Sequence, residues 1–200
     1  MFQSPPPLPK EPTRRVFILT TAAAITTAAF YGLRKTTVHA AAPLKPQEGP
    51  SMVTIVDFDD KGNRLATRTI PRLTHTEEEW QKLLPRDSFE ILRHEDTERA
   101  FTGDTWNEHR AGLFRCRGCN LALFSSSTKF ESGTGWPSFW QPIAEENITQ
   151  TVDGSYGMVR TAVSCKLCDG HLGHVFDDGP APTGLRYCMN SYAMKFVPFA

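Results

Sequence analysis

The chain has 200 residues, of which 40% are hydrophobic, and it carries 22 basic and 22 acidic residues. These totals indicate one globular domain with an additional segment. The charge is uneven, because residues 1–40 contain five Lys/Arg and one Glu, which leaves 17 Lys/Arg against 21 Asp/Glu in residues 41–200. A slightly acidic body lacks the basic patch that nucleic-acid binding requires, so we expect no nucleic-acid partner.

The first 40 residues have the pattern of an export signal. Arg14 and Arg15 directly precede residues 16–33, a run of 18 positions without a charge, and Ala40 ends a small-residue site suited to cleavage. The arginine pair is similar to a twin-arginine signal, which predicts export to a bacterial periplasm. An uncleaved membrane anchor and an organelle transit peptide are the alternatives, and we expect membrane association only if the segment stays uncleaved. Residues 41–51 are predicted to be a linker.

Residues 52–74 are predicted to form an N-terminal β-hairpin extension. Two β-rich runs, 53–58 and 65–70, flank the turn-forming residues 59–63. The main domain is then expected to span residues 75–200.

The domain begins with a predicted helical region. Thr76 and Glu79 form the pattern of a capping box, and Trp80, Leu83 and Leu84 then fall on one helical face before Pro85. A second helix is predicted near residues 87–94.

From about residue 112 the pattern is one of short apolar runs separated by Gly, Pro, Asn or Ser. It predicts a mainly β fold, in which two antiparallel sheets form a small barrel or sandwich behind the short N-terminal helices. The clearest predicted strands are 121–124, 147–152, 157–164, 174–176 and 192–197.

Four of the five cysteines form two CxxC pairs, Cys116/Cys119 and Cys165/Cys168, with 45 residues between the pairs. Two such turns can complete a tetrahedral thiolate site, which predicts one structural Zn²⁺ per chain with no open position. Redox-active CxxC motifs or two disulfides remain alternatives.

The fifth cysteine, Cys188, lies between Arg186 and Asn190 at spacings of two residues. On a strand all three would project to one face. A guanidinium lowers the pKa of a nearby thiol, and the Asn190 amide could orient a substrate or a water molecule. Alternatively, Cys188 is a small buried hydrophobic residue, as most free cysteines are.

Two further stretches contain chemically useful residues. His171 and His174, followed by Asp177 and Asp178, could donate protons near neutral pH or, alternatively, bind a metal. The loop at 132–140 combines glycines with aromatic residues that form either an apolar wall for a ligand or part of the core. These aromatic residues are Trp136, Phe139 and Trp140.

Together these stretches resemble methionine sulfoxide reductase B, the enzyme family that reduces the R epimer of methionine sulfoxide. The matching pieces lie between about residues 75 and 198. They are TERAFTG (97–103), the first CxxC pair, KFESGTGWPSFW (129–140), the second CxxC pair, HLGHVFDDG (171–179) and LRYCMNS (185–191).

The resemblance implies a role for each site residue. Cys188 would be the nucleophile that attacks the sulfoxide sulfur and becomes a sulfenic acid, with His171 and His174 as proton donors or as residues that position the substrate. Asp178 would support the histidines, Arg186 would tune the thiol and Asn190 would orient the site. Trp136 would hold the substrate methyl group, and Phe139 belongs to the same predicted aromatic wall.

One position departs from the family pattern. Many members have a resolving cysteine two residues before the tryptophan, where this chain has Thr134. We therefore expect Cys188 to be recycled by an external partner, either a thioredoxin-like protein or a small thiol, and oxidised peptides or proteins to be the substrates. The alternatives are a zinc-stabilised binding module without chemistry and a general thiol peroxidase.

Overall fold

The computed structural model of the protein describes residues 51–154 and 159–199. The predicted export signal at 1–40 lies outside these ranges, as does the predicted linker at 41–51 except for Ser51. Within the described ranges, no helix has the length and apolar character needed to cross a lipid bilayer.

An antiparallel hairpin opens the described chain, and it consists of β1 (Met52–Phe58) and β2 (Arg64–Pro71). Asp59 stabilises the turn, because its Oδ1 accepts hydrogen bonds from the backbone N–H groups of Lys61 and Asn63 at 3.0 and 2.8 Å. The two strands form a small sheet of their own.

Hydrogen bonds of the Asn147 side chain connect this hairpin to the rest of the domain. This buried side chain accepts a hydrogen bond from Val56 N at 2.7 Å and donates to Val56 O at 2.9 Å and to Ala122 O at 2.8 Å. These three bonds satisfy most of the hydrogen-bonding capacity of one buried amide, so its loss would leave several buried polar groups unpaired.

The two predicted helices are α1 (Glu77–Leu83) and α2 (Arg86–His94). The capping box is confirmed: Thr76 Oγ1 accepts from Glu79 N at 3.3 Å, and the Glu79 carboxylate accepts from Thr76 N at 2.8 Å. These two bonds satisfy backbone donors that the first turn of a helix leaves without partners.

The buried face of α1 is narrower than predicted. Trp80 and Leu84 are buried, but Leu83 is 60% exposed. The reason is that the helix ends at Leu83, and Leu84 continues in an extended conformation that turns it toward the core.

In the described ranges, nine further strands form two antiparallel sheets. One sheet has six strands in the order β5-β6-β10-β9-β8-β7, and the other has three in the order β11-β3-β4. The strands are β3 (Gly112–Cys116), β4 (Ala122–Ser125), β5 (Lys129–Phe130), β6 (Ser138–Phe139), β7 (Ile148–Asp153), β8 (Arg160–Cys165), β9 (His171–Phe176), β10 (Arg186–Met189) and β11 (Met194–Pro198).

Aromatic rings from both sheets meet in the core. Phe139 on β6 stacks on Phe124 of β4 with ring centroids 4.5 Å apart, and it meets Phe114 of β3 edge-on at 4.9 Å. Tyr187 on β10 packs against Phe124 at 5.8 Å. Such pairs are favourable beyond their buried area, so they hold the two sheets face to face. The predicted mainly β fold with two short helices is confirmed.

Candidate active site

Neighbouring strands of the six-stranded sheet bring several candidate residues to one face. Cys188 on β10 lies directly opposite His174 on β9, and His174 lies opposite Ala162 on β8. Directly opposed residues of an antiparallel pair project to the same face, as do residues two apart on one strand. Arg186 therefore shares the face of Cys188.

A β-bulge in β9 explains why two histidines three residues apart share a face. Against β8, His171 lies opposite Ser164 and His174 lies opposite Ala162, so β9 contains one residue more than β8 over this interval. Because positions 162 and 164 project to the same side, so do the two histidines. Their ring centroids are 5.2 Å apart.

Gly173 lies in this bulge, where the backbones of β9 and β10 approach too closely for a side chain. A Cβ at Gly173 would lie 2.2 Å from the carbonyl oxygen of Cys188 and 2.9 Å from the Cα of Met189. The glycine thus permits the bulge that sets both histidines beside the candidate nucleophile.

The Cys188 thiol is half-buried, and burial raises its pKa above the ordinary value. The positive charge of Arg186 lowers this pKa, as do hydrogen bonds with the hydroxyls of Thr134 and Ser138. Arg186 therefore acts in the direction expected from the sequence, but burial outweighs it. In the free protein, burial of Cys188 therefore favours the protonated thiol.

His174 has a carboxylate partner on a neighbouring strand. Its Nε2 lies 2.8 Å from Oδ2 of Asp153, which also forms an ion pair with the guanidinium of Arg160 at 2.8 Å. A carboxylate at this distance stabilises the protonated imidazole and orients the ring. Asp153 is therefore the residue that supports a histidine.

Asp178 has a different partner, which corrects the expectation that it supports the histidines. Its two carboxylate oxygens accept hydrogen bonds from Nε and Nη2 of Arg186, both at 2.8 Å. The Arg186 guanidinium also lies over the ring of Phe176, with its central carbon 4.5 Å from the ring centroid. Asp178 thus fixes the cation that faces Cys188.

His171 is buried, with only 3% of its surface exposed. Burial lowers its pKa to about 4, and the nearby charges of His174 and Arg160 add to this effect while Asp153 opposes it. Among the described residues its Nε2 has no hydrogen-bond partner. His171 is therefore neutral at physiological pH, and of the two histidines it is His174 whose ring contacts a carboxylate.

A cleft of about 160 Å³ opens on this face beside Cys188. Its lining includes Trp136, Phe176, His174 and Asn190. Its volume is close to that of the roughly 150 Å³ apolar cavity known to hold a benzene molecule, so the cleft can accept the end of an apolar side chain. The cleft combines a thiol, an imidazole and aromatic surface.

Trp136 and Asn190 are both held by the same residue, Glu98. The indole Nε1 of Trp136 donates to the carbonyl oxygen of Glu98 at 3.1 Å, and Glu98 N donates to Oδ1 of Asn190 at 3.1 Å. The Asn190 amide also donates to Leu172 O at 3.2 Å. Asn190 therefore lines the cleft with its amide already engaged by the backbone.

Phe139 does not reach the cleft, which corrects its prediction as a substrate-binding residue. It has no exposed surface and its ring is packed between Phe114 and Phe124. The loop that contains Trp136 continues into β6, and the short pairing of β6 with β10 turns Phe139 to the core face of the sheet.

The four paired cysteines form one cluster, in which all sulfur atoms lie within 4.8 Å of one another. The Cys116 and Cys168 sulfurs are 3.6 Å apart, and those of Cys119 and Cys165 are 3.4 Å apart. Zinc–sulfur bonds of about 2.3 Å in a tetrahedron require sulfur–sulfur distances of roughly 3.8 Å. The cluster therefore fits one Zn²⁺ ion whose four positions are all filled by protein.

The two CxxC turns have the same backbone geometry. In the first, Asn120 N donates to Cys116 O at 2.9 Å, and in the second, Asp169 N donates to Cys165 O at 2.9 Å. Asn120 and Asp169 both adopt positive φ, at 66° and 60°. Asn and Asp tolerate this left-handed region better than most residues, which explains their place after each second cysteine.

Asp153 and Glu98 are two residues of the site that the sequence did not single out. Asp153 belongs to an Asp-Gly-Ser stretch that is typical of a turn, and Glu98 lies within a matching block without a pattern of its own. Glu98 offered no local signal. Asp153 offered only its turn pattern, because the register that sets it opposite Arg160 depends on the pairing of β7 with β8.

Known proteins of one family are similar in sequence to this chain. The family profile described as SelR domain matches residues 84–198. The peptide methionine sulfoxide reductase MsrB of Agrobacterium fabrum is 48% identical over 130 residues, which cover 65% of this chain and 96% of that protein. MsrB of Pseudomonas putida is 51% identical over 127 residues, covering 64% and 96%. Peptide methionine sulfoxide reductase B1, chloroplastic, of Oryza sativa subsp. japonica is 55% identical over 121 residues, covering 60% and 56%.

Proposed function

The chain belongs to the SelR-domain family of peptide methionine sulfoxide reductases, and we propose that it reduces the R epimer through a sulfenic acid on Cys188. The observation that carries this proposal is the meeting of Cys188, His174 and Trp136 at one cleft. They supply the nucleophile, the acid and the apolar surface that reduction of a methyl sulfoxide requires.

In the proposed reaction the Cys188 sulfur attacks the sulfoxide sulfur while the sulfoxide oxygen takes up a proton. Because burial raises the pKa of Cys188, its thiol proton is retained until substrate arrives, and the sulfoxide oxygen is then a base that can receive a proton. His174, held by Asp153 at 2.8 Å, is the proposed donor to that oxygen. The first proton on the oxygen is that of the thiol and the second is that of His174, so the S–O bond breaks and the oxygen leaves as water. A water molecule then adds to the Cys188 sulfur, the S–S bond breaks, and the released proton returns to His174. The products are methionine and a sulfenic acid on Cys188, so the thiol is oxidised as the sulfoxide is reduced.

The other residues act by position. Arg186, fixed by Asp178, faces the sulfur and stabilises negative charge on it during attack. Trp136 provides the surface against which the substrate methyl group packs. With the methyl group held there, only one epimer presents its sulfoxide oxygen to His174. His171, neutral and buried, packs against His174 and limits its orientations.

We propose one structural zinc ion in the four-cysteine cluster, because the sulfur distances suit a closed tetrahedral site. When bound, the ion would tie together two turns that are far apart in the sequence. It has no position for substrate, so it takes no part in the proposed chemistry.

We propose that an external thiol recycles the enzyme. Thr134 stands where a resolving cysteine would be expected, and the four other cysteines belong to the zinc cluster. A thiol from a small molecule or a thioredoxin-like protein would condense with the sulfenic acid, releasing water and forming a mixed disulfide. A second thiol would then release Cys188 as a thiol.

The decisive experiment compares the separated R and S epimers of a peptide methionine sulfoxide, with dithiothreitol as the reductant, for wild type and Cys188→Ser. Reduction of the R epimer alone, abolished in the variant, supports the proposal. If Cys188→Ser is as active as wild type, Cys188 is not the nucleophile. If the wild type is folded and zinc-loaded but inactive, a binding module is favoured. A disulfide between Cys188 and a cluster cysteine after turnover, with zinc retained, would contradict external recycling.

We also propose that residues 1–40 direct export to a periplasm through their arginine pair, with membrane anchoring as the alternative. Fractionation of cells that express the full chain would separate these outcomes. Replacement of Arg14 and Arg15 by lysine should retain the protein in the cytoplasm if the twin-arginine pathway is used. Export that does not change on this replacement would contradict the proposal.

A further inference from the structure

Glu98 is a buried acidic residue that the proposed reaction does not use. The residue is only 8% exposed. Its backbone, rather than its side chain, forms the hydrogen bonds to Trp136 and Asn190. The carbonyl oxygen receives the Trp136 indole N–H, and the N–H group donates to the Asn190 side chain. The backbone of one residue therefore holds two residues that line the cleft.

The Glu98 carboxylate fixes the chain that follows the nucleophile. Oε1 accepts a hydrogen bond from Ser191 N at 2.7 Å, and Oε2 accepts one from Tyr192 N at 2.9 Å. These N–H groups belong to the 3₁₀ turn Ser191–Ala193, which begins three residues after Cys188. Two converging amide donors match an ionised carboxylate, which has only acceptors to offer.

The surroundings leave the carboxylate little freedom to move. A Cβ at Gly103 would lie 2.7 Å from Glu98 Oε1 and 2.2 Å from the Cβ of Ser191. The three segments that carry Glu98, Gly103 and Ser191 therefore pack without room for another side chain. The position of Glu98 relative to β10 is set by this packing together with the two hydrogen bonds.

We infer that Glu98 is a positioning residue, whose carboxylate sets the distance between the Trp136 surface and the Cys188 sulfur. This inference rests on the proposed function. Without the carboxylate, the peptide groups of Glu98 lose their fixed place relative to β10, and Trp136 shifts with them. A misplacement of about 1 Å can reduce a rate by roughly a hundredfold.

The test uses Glu98→Gln in the full chain with R-epimer peptide substrate. The amide retains one acceptor but points an N–H₂ group at the second backbone donor, so one of the two bonds is lost. We expect kcat/KM to fall at least tenfold, with most of the loss in KM because Trp136 contacts the substrate methyl group. Glu98→Asp keeps both acceptors on a shorter side chain, so its kcat/KM should lie between those of wild type and Glu98→Gln. If Glu98→Gln does not fold, Glu98→Asp is tested in its place.

Two controls separate positioning from a general loss of stability. Asn147→Ala removes three buried hydrogen bonds at the hairpin, away from the cleft, and should lower the melting temperature while KM stays within twofold. In a Trp136→Phe background, which lacks the indole N–H, Glu98→Gln should change KM by less than twofold. The same loss in both backgrounds would overturn the inference.

The same assay separates a wrong role for Glu98 from a wrong proposed function. If wild type reduces the R epimer but folded Glu98→Gln keeps its kcat/KM within twofold, Glu98 is structural only. If wild type is inactive on the R epimer, the proposed function itself is wrong.

Discussion

Replacing Asp153 with asparagine tests which carboxylate supports the proposed acid. Asp153 Oδ2 lies 2.8 Å from Nε2 of His174, whereas Asp178 bonds to Arg186. The Asp153→Asn variant keeps the size of the side chain but removes the charge that stabilises a protonated imidazole. The proposed step, in which His174 gives a proton to the sulfoxide oxygen, should therefore slow.

The size of the effect follows from the geometry. The His174 and Asp153 side chains are 13% and 17% exposed, so water screens their interaction only partly. A hydrogen bond between charged groups contributes about 1.5–3 kcal/mol net. At about 1.4 kcal/mol for each factor of ten, the reductive step should slow by roughly 10- to 150-fold.

A single-turnover assay isolates this step. Excess enzyme is mixed with R-epimer peptide without reductant, and methionine is measured against time. Asp178→Asn is the matched control, because Asp178 is 58% exposed and touches Arg186 rather than a histidine, so its loss should slow the step less than fivefold. A larger effect from Asp178→Asn than from Asp153→Asn would refute the assignment.

Three other outcomes are expected. His171 has a folded-state pKa of about 4, below the ordinary 6.5, so the unfolded state binds more protons between these values. Stability should fall by up to about 3 kcal/mol as pH drops through this window, and urea unfolding of His171→Gln should show a correspondingly weaker dependence. Thr134→Cys adds a thiol beside Cys188, so mass spectrometry after one turnover should find an internal disulfide; a persistent sulfenic acid would argue against this proximity. Cys168→Ser should lose zinc and melt at a lower temperature, whereas Cys188→Ser should keep both properties, and unchanged metal content in Cys168→Ser would contradict the cluster assignment.

Features that depend on short stretches of chain could be predicted from the sequence. The capping box of α1 and the two CxxC turns each involve residues three apart, so local spacing determines their geometry. Cys188, His174 and Trp136 line one cleft, and each belongs to a stretch that the sequence singled out. For these motifs, the residue types and their spacing are enough to indicate a helix start or a metal site.

Features that depend on strand register could not be predicted in this way. The contact between Asp153 and His174 requires the alignment of three strands, and nothing near either residue indicates it. Asp178 was the nearer carboxylate in sequence, but it points to Arg186 across the β9–β10 connection. Phe139 was misassigned for the same reason, because only the pairing of β6 with β10 determines which face it occupies.

The proposed zinc site and the histidines are connected through the turn between β8 and β9. Cys165 is the last residue of β8 and Cys168 lies in the turn, which is closed by a hydrogen bond from Cys165 N to Gly170 O at 2.9 Å; β9 starts at His171. An ion that fixes both cysteines fixes where β9 begins, and thereby the register that places His171 opposite Ser164 and creates the bulge. A metal with no open position can then affect the chemistry without touching substrate. Zinc loss should consequently slow the single-turnover step at temperatures where the chain is still folded, in addition to lowering its melting temperature.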